Sequence, residues 1–168
     1  EGKDRDVYDL GDRLLIVTTD RVSAFDRVLG TIPFKGEILN RAALAAFEST
    51  RDIIRNHVIE SPDPCVLVAM KCRPFPVELV MRGYVTGSLW RDLQSGAADA
   101  YELDLDPSTK KDQRLPEPIL TPATKAHPGA HDLPTSKRAL LASGAMTEAQ
   151  LEAAEAAARA LFARGQAL

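Results

Sequence analysis

Sulfur, long apolar runs and positive charge are all in short supply in this chain, and each shortage removes a class of protein. Cys65 and Cys72 are the only cysteines. Two thiols build no disulfide framework and are too few to ligate a structural zinc. A reducing, cytoplasmic setting is the simplest expectation. No apolar stretch approaches the roughly 18 residues that cross a bilayer, and nothing at the start has the form of a signal peptide, so no membrane partner is expected. A net charge of −3 gives no general reason to expect nucleic acid. The phosphate-cradling spacing Gly-x-x-x-x-Gly-Lys-[Ser/Thr] is missing. The pair His131-Asp132 comes without a nucleophilic serine or cysteine motif, which argues against a triad. His127 and His131 have helical i, i+4 spacing, but Pro128 and Gly129 between them oppose a helix, and with it a zinc site.

What remains is an ordinary globular composition, 45% hydrophobic and 27% charged over 168 residues, enough for one domain or two small lobes. Val7–Leu10 and Arg13–Thr19 flank Gly11-Asp12, which predicts an antiparallel hairpin. The unbroken run Leu14-Leu15-Ile16-Val17 predicts burial on both faces. From Ile38 to about Asn56, Leu39, Ala42, Ala43, Ala46, Phe47, Ile53 and Ile54 recur at helical spacing. Val66–Lys71 and Val77–Arg82 read as a further strand pair, and the proline- and charge-rich stretch from Tyr101 to Thr135 reads mainly as loop. A last helix is expected from Glu148 to about Ala163. Thr147 and Gln150 would form its capping box, Leu151, Ala154, Ala158, Leu161 and Phe162 its apolar stripe, and Gly165 would lie beyond its end.

The chemistry concentrates where a strand pattern meets a helix start. Pro76-Val77-Glu78-Leu79-Val80-Met81-Arg82 delivers one arginine, and Gly87-Ser88 opens a short helical segment, Leu89–Gln94. Helix starts offer unpaired N–H groups, glycine permits close approach, serine caps or touches a ligand, and arginine presents a planar fork of donors. That assembly suits an anion such as a phosphate, and it equally describes a capped helix beside a surface arginine. Gly2, Lys3 and Arg5 read on residue type alone as solvated charge, as does Lys71 at a strand end, and Cys72 reads as packed rather than reactive.

The wording of four stretches resembles one family. They are Glu1–Asp9, Thr19–Asp26, Pro76–Ser88, and Arg114–Ile119 continued through Thr124-Lys125 to His131-Asp132. In this order they resemble phosphoribosylaminoimidazole-succinocarboxamide synthase, the SAICAR synthetase family of purine biosynthesis. The resemblance implies an α+β fold, with an ATP-binding antiparallel sheet lobe over 1–82 carrying a packed helix. An incomplete second lobe over 83–168 would hold a substrate loop and the C-terminal helix. It implies an ATP- and magnesium-dependent ligase that joins L-aspartate to carboxyaminoimidazole ribotide. Gly2, Lys3 and Arg5 would contact ATP, with Lys71 a further candidate in the Val66–Glu78 segment that passes the adenine. Arg82, Gly87 and Ser88 would hold the ribotide phosphate, and Lys125 and Asp132 would line the substrate and aspartate pocket. Thr19–Asp26 would be a loop over the phosphates or a structural turn. Asp4 departs from the family pattern and would repel a triphosphate unless strand alternation turns it outward. The family's magnesium strand is expected beyond Leu168, so the chain by itself is expected to be inactive, with no catalytic residue assigned within it. A non-catalytic nucleotide- or ribotide-binding module and a structural interaction domain are the competing classes.

Overall fold

A computed structural model describes residues 2–24, 27–106, 108–125 and 132–168. The chain divides into two compact units, Glu1–Arg73 and Pro74–Leu168.

In the first unit, β1 (Arg5–Asp9) and β2 (Arg13–Thr18) form the expected hairpin, with Val7 opposite Ile16. Its turn is closed by the Leu10 N–H donating to the Arg13 carbonyl at 2.9 Å. A second hairpin pairs β3 (Arg21–Ala24) with β4 (Arg27–Thr31). Within Thr19–Asp26, Arg21–Ala24 is therefore a strand, while Phe25 and Asp26 lie outside the described residues. After α1 (Lys35–Ser49), β5 (Val58–Asp63) and β6 (Val66–Met70) complete an antiparallel sheet in the order β1-β2-β6-β5. Leu67, Val68 and Ala69 of β6 are its buried centre. Leu14–Val17 are each half-buried, not buried on both faces. Antiparallel sheets commonly cover one face only, and this one has a single helix, α1, to do so.

Helix α1 starts earlier and stops sooner than its apolar spacing suggests. The Thr50 hydroxyl donates back to the Ala46 carbonyl at 2.7 Å and the Asn56 amide to the Phe47 carbonyl at 3.3 Å, taking the last carbonyls before the chain turns away. Its inward face is also rotated from the expected stripe. Gly36 and Asn40 are buried and Ala43 and Phe47 half-buried, whereas Ala42 and Ala46 are exposed. Asn40 is tolerated there because its amide donates to the Pro64 carbonyl at 2.9 Å and to the Ser61 hydroxyl at 3.4 Å.

The second unit opens with β7 (Val77–Tyr84), which pairs with β8 (Arg114–Thr124) and not with β6; β9 (Leu133–Pro134) completes this sheet in the order β7-β8-β9. The boundary thus falls at 73/74, and the strand ending at Arg82 belongs to the second unit, not to a 1–82 lobe. The β8 strand overturns the expectation of a loop, its three prolines notwithstanding. Pro118 and Pro122 share one side of the strand. The carbonyls of Pro118 and Pro122 are taken by Arg159 Nη1 at 3.0 Å and the Thr135 N–H at 3.1 Å, so the missing N–H donors face away from β7.

The expected short helix is α2 (Gly87–Ser95), followed by a 3-10 turn over Ala97–Tyr101. Val85, Leu89, Ala98, Tyr101 and Leu115 form the core beneath them. The sequence pattern did not reveal α3 (Lys137–Ala142), which is capped by Ser136, whose hydroxyl accepts from the Ala139 N–H at 3.0 Å. The last helix, α4 (Glu148–Gln166), carries the full Thr147/Gln150 capping box and runs on through Gly165. Leu151 is its buried anchor, Phe162 packs over Gly83 of β7, and Leu161 is exposed.

Candidate functional site

Each unit holds a hollow lined by residues singled out in the sequence. That of the first unit measures about 810 Å³ and is bounded by Gly2, Lys3, Asp4, Arg5, Thr18, Lys35 and Leu39 among others. Gly2 is required by the chain itself: a Cβ there would stand 2.7 Å from the Arg5 carbonyl, to which the Gly2 N–H donates at 2.8 Å. Arg21 fastens this turn. Its guanidinium grips the Asp6 carboxylate through two bonds, at 2.7 and 3.2 Å, and donates to the carbonyls of Gly2 at 2.9 Å and Lys3 at 3.3 Å. The Arg21 guanidinium beside Asp6 holds that carboxyl below its ordinary range.

Asp4 lines the hollow instead of turning away from it, and Lys35 Nζ stands 3.4 Å from its carboxylate. The same ammonium donates to the Arg21 carbonyl at 2.8 Å. Lys35 was not anticipated as a site residue, since a lysine at a helix start carries no motif. Asp20 is spent on structure: it accepts from the Gly36 N–H at 2.9 Å and the Phe34 N–H at 3.3 Å, capping α1 from another element. Lys71 is absent from this hollow. It pairs with Asp9 at 2.5 Å, and its N–H donates to the Asp12 carbonyl beside the β1–β2 turn. Cys65 and Cys72 are free thiols. Cys72 is exposed, against the expectation that it packs, and burial first, then Asp63, pushes the Cys65 thiol up.

The hollow of the second unit, about 240 Å³, brings together Arg82, Ser88 and Asp132. Strand alternation puts Glu78, Val80 and Arg82 on one face of β7, and the register sets Thr121 opposite Val80 and Ala123 opposite Glu78. Arg82 Nε donates to Thr121 Oγ1 at 2.8 Å, and Nη2 donates to Ser88 Oγ at 2.7 Å. Thr121 is 1% exposed and passes its own hydrogen to the Val80 carbonyl at 3.2 Å. Ser88 therefore receives the arginine and does not cap α2, whose start has no side-chain cap. Gly87 stands at φ +59°, with open space where a Cβ would lie. Arg82 makes no ion pair among the described residues. A half-buried guanidinium held by two hydroxyls still has N–H donors to offer an anion, although Glu78, Asp92 and Asp132 line the same hollow.

Sequence reasoning missed Thr121 and Tyr101 in this hollow because the Tyr101–Thr135 region carried no strand pattern, and Asp92 because one acidic residue in a short helical segment carries no motif. The Tyr101 hydroxyl donates to Asp92 Oδ2 at 2.8 Å. Burial, reinforced by Asp92, pushes its phenol up to about 12, with Arg82 opposing. Lys125 is exposed at the end of β8, where its N–H donates to the Pro76 carbonyl, and it does not line the hollow. His127 and His131 lie outside the described residues.

The whole chain, residues 1–168, matches the SAICAR synthetase family. The chloroplastic phosphoribosylaminoimidazole-succinocarboxamide synthase of Arabidopsis thaliana is 46% identical over 170 residues, which is 99% of this chain and 41% of that one. SAICAR synthase from Saccharomyces cerevisiae, solved complexed with SAICAR, is 28% identical with a TM-score of 0.80, over 98% of this chain and 60% of that one. A SAICAR synthetase solved in complex with ADP shares the fold at a TM-score of 0.75 and 23% identity, over 96% of this chain and 64% of that one. The chain spans about half the length of the curated relatives it matches. Motif order, antiparallel α+β architecture and these likenesses agree that the chain belongs to the SAICAR synthetase family.

Proposed function

We propose that this chain is the ATP- and ribotide-binding portion of a cytoplasmic ligase that joins L-aspartate to carboxyaminoimidazole ribotide. The observation that carries the reading is the family match along the entire chain. It is supported by the anion-ready Arg82 fork in one unit and the cationic, glycine-opened hollow in the other.

The chemistry needs a leaving group, because an amine does not displace oxide from a carboxylate. A ribotide carboxylate oxygen attacks the γ-phosphorus of ATP, the bond from that phosphorus to the β–γ bridging oxygen breaks, and ADP departs. The aspartate amine then attacks the acyl carbon, the C–O bond to phosphate breaks, and the amine proton passes to solvent. Holding the reactants supplies most of the advantage. On this reading Arg82 and Ser88 hold the ribotide phosphate, with Thr121 orienting the guanidinium. Gly2, Lys3, Arg5 and Lys35 face the nucleotide phosphates. Lys71 and Lys125 stand outside both hollows, so neither is assigned a contact, and Asp132 faces the substrate.

A magnesium ion would offset phosphate charge, but the described residues do not fit one: no three His, Cys, Asp or Glu side chains among them are placed to share a metal ion, the Glu78, Asp92 and Asp132 carboxylates of the Arg82 hollow included. Asp4, Asp6 and Asp20 are engaged by Lys35, Arg21 and the start of α1. No step is routed through the metal. The test is release of ADP from ATP by the whole protein, with ribotide present and with or without aspartate. The expected result is aspartate-dependent ADP with SAICAR identified by mass. ADP formed equally without aspartate would overturn the ligase reading.

A further inference from the structure

The hollow around Arg82 holds more negative than positive charge. Glu78, Asp92 and Asp132 line it together with the single guanidinium. Asp92 is the carboxylate best placed to compete for Arg82, because it lies one turn after Ser88 on the same face of α2. The Ser88 hydroxyl already receives Arg82 Nη2 at 2.7 Å. A carboxylate free to reach a guanidinium in the same hollow ordinarily closes a two-bonded pair and consumes the fork. Arg82 forms no such pair among the described residues.

Tyr101 accounts for the difference. Its ring is 6% exposed, packed in the core with Val85, Leu89, Ala98 and Leu115, so the hydroxyl is delivered from a fixed support. That hydroxyl donates to Asp92 Oδ2 at 2.8 Å. The Arg82 guanidinium reaches the same hydroxyl. We infer that Tyr101 is a positioning residue: its hydroxyl stands between Arg82 and Asp92, to which it donates, and by tying Asp92 back it leaves the other Arg82 N–H donors for a phosphomonoester. The inference rests on the reading of this hollow as the ribotide phosphate site. The hydroxyl stays a donor over the whole working range of pH, since burial and then Asp92 push the phenol up to about 12. Phenylalanine would fill the same core space and release the carboxylate.

The experiment compares the unaltered protein with Tyr101→Phe and with the double variant Tyr101→Phe, Asp92→Asn. Two quantities are read: the affinity for ribose 5-phosphate by calorimetry, and the ¹⁵N–¹H signal of the Arg82 Nε–H without ligand. Tyr101→Phe is expected to weaken ribose 5-phosphate about tenfold, the scale of a charge-assisted bond gained by the competing carboxylate, and to shift the Arg82 signal. Replacing Asp92 by asparagine in that background removes the competitor and returns both quantities toward their original values. A merely structural tyrosine gives no such rescue. An unmoved Arg82 signal in Tyr101→Phe, or a double variant as weak as the single, overturns the inference. Failure of the unaltered protein to bind ribose 5-phosphate instead sinks the phosphate-site reading. The Arg82 signal then still tells whether Tyr101 separates the two charges.

Discussion

At the scale of single residues, the sharpest constraint is Gly36. Glycine to alanine inside a helix ordinarily gains up to about 1 kcal/mol. Here the new Cβ would stand 2.4 Å from the Thr18 carbonyl oxygen and 3.0 Å from two carbonyl carbons, all backbone atoms that cannot rotate away. The sign reverses: Gly36→Ala is expected to cost about 2 kcal/mol, the scale of overpacking, measured by urea unfolding. An unchanged midpoint would mean that α1 can lift from β2 without penalty. Arg82→Ala separates the two hollows. It removes a charge-assisted pair of contacts, so calorimetry is expected to show the ribotide weakened roughly tenfold or more with ATP unaffected. Equal losses for both ligands would make Arg82 a structural residue. Part of this was legible beforehand. Arg82 and Ser88 stood out because an arginine before a Gly-Ser helix start is a recognisable order of parts. Thr121 and Tyr101 did not, because a lone threonine beside a proline and a lone tyrosine after an alanine-rich turn acquire meaning only once β8 and α2 bring them together.

At the scale of elements, local chemistry was legible where the instructions are local. The β1–β2 hairpin and the α4 capping box are written in adjacent residues and appear as read. Elements made by distant partners were not legible: β7 left β6 for β8, and α1 turned a buried asparagine inward because Pro64 and Ser61 satisfy it. The α4 helix offers a test by pH. Glu155 lies beneath Lys137 and Arg159, bonded at 2.6 and 2.7 Å. Burial alone would raise its carboxyl, but those two cations together outweigh it and hold the carboxyl below its ordinary range. A folded-state value below the unfolded one contributes stability above the unfolded value and loses it as pH falls through the folded one. Acid titration followed by circular dichroism should therefore show an earlier loss for the unaltered chain's margin over Glu155→Gln, the two converging at the acid end. A constant gap between them at all pH values would exclude this linkage.

At the scale of the whole molecule, buried side chains are unevenly shared. Among the described residues, the buried large apolar side chains of the first unit are Leu67 and Val68, whereas the second has Val85, Leu89, Tyr101, Leu115, Leu120, Leu140, Met146 and Leu151. Local opening follows such differences. The slowest amide hydrogen exchange is expected in β7, β8 and α2, and faster exchange in the β3–β4 hairpin, where every residue of β4 is exposed. Uniform protection along the chain would contradict this. Catalysis is also a property of the whole: with no acidic cluster among the described residues to hold magnesium, the 168-residue chain is expected to bind both ligands yet form no ADP. Aspartate-dependent turnover by this chain alone would place the missing groups within it.

The prolines of β8 bear on how the protein behaves at high concentration. Aggregation often begins when an open strand edge zips onto another extended chain, which requires the edge to donate as well as accept. Pro118 and Pro122 remove two donors from this edge, Arg159 occupies the Pro118 carbonyl, and β9 covers the end at Ala123-Thr124. What stays open is a short stretch with too few donors for a continuous ladder. A sequence that looks too proline-rich to be a strand thereby keeps an eleven-residue strand from becoming a seed for fibrils.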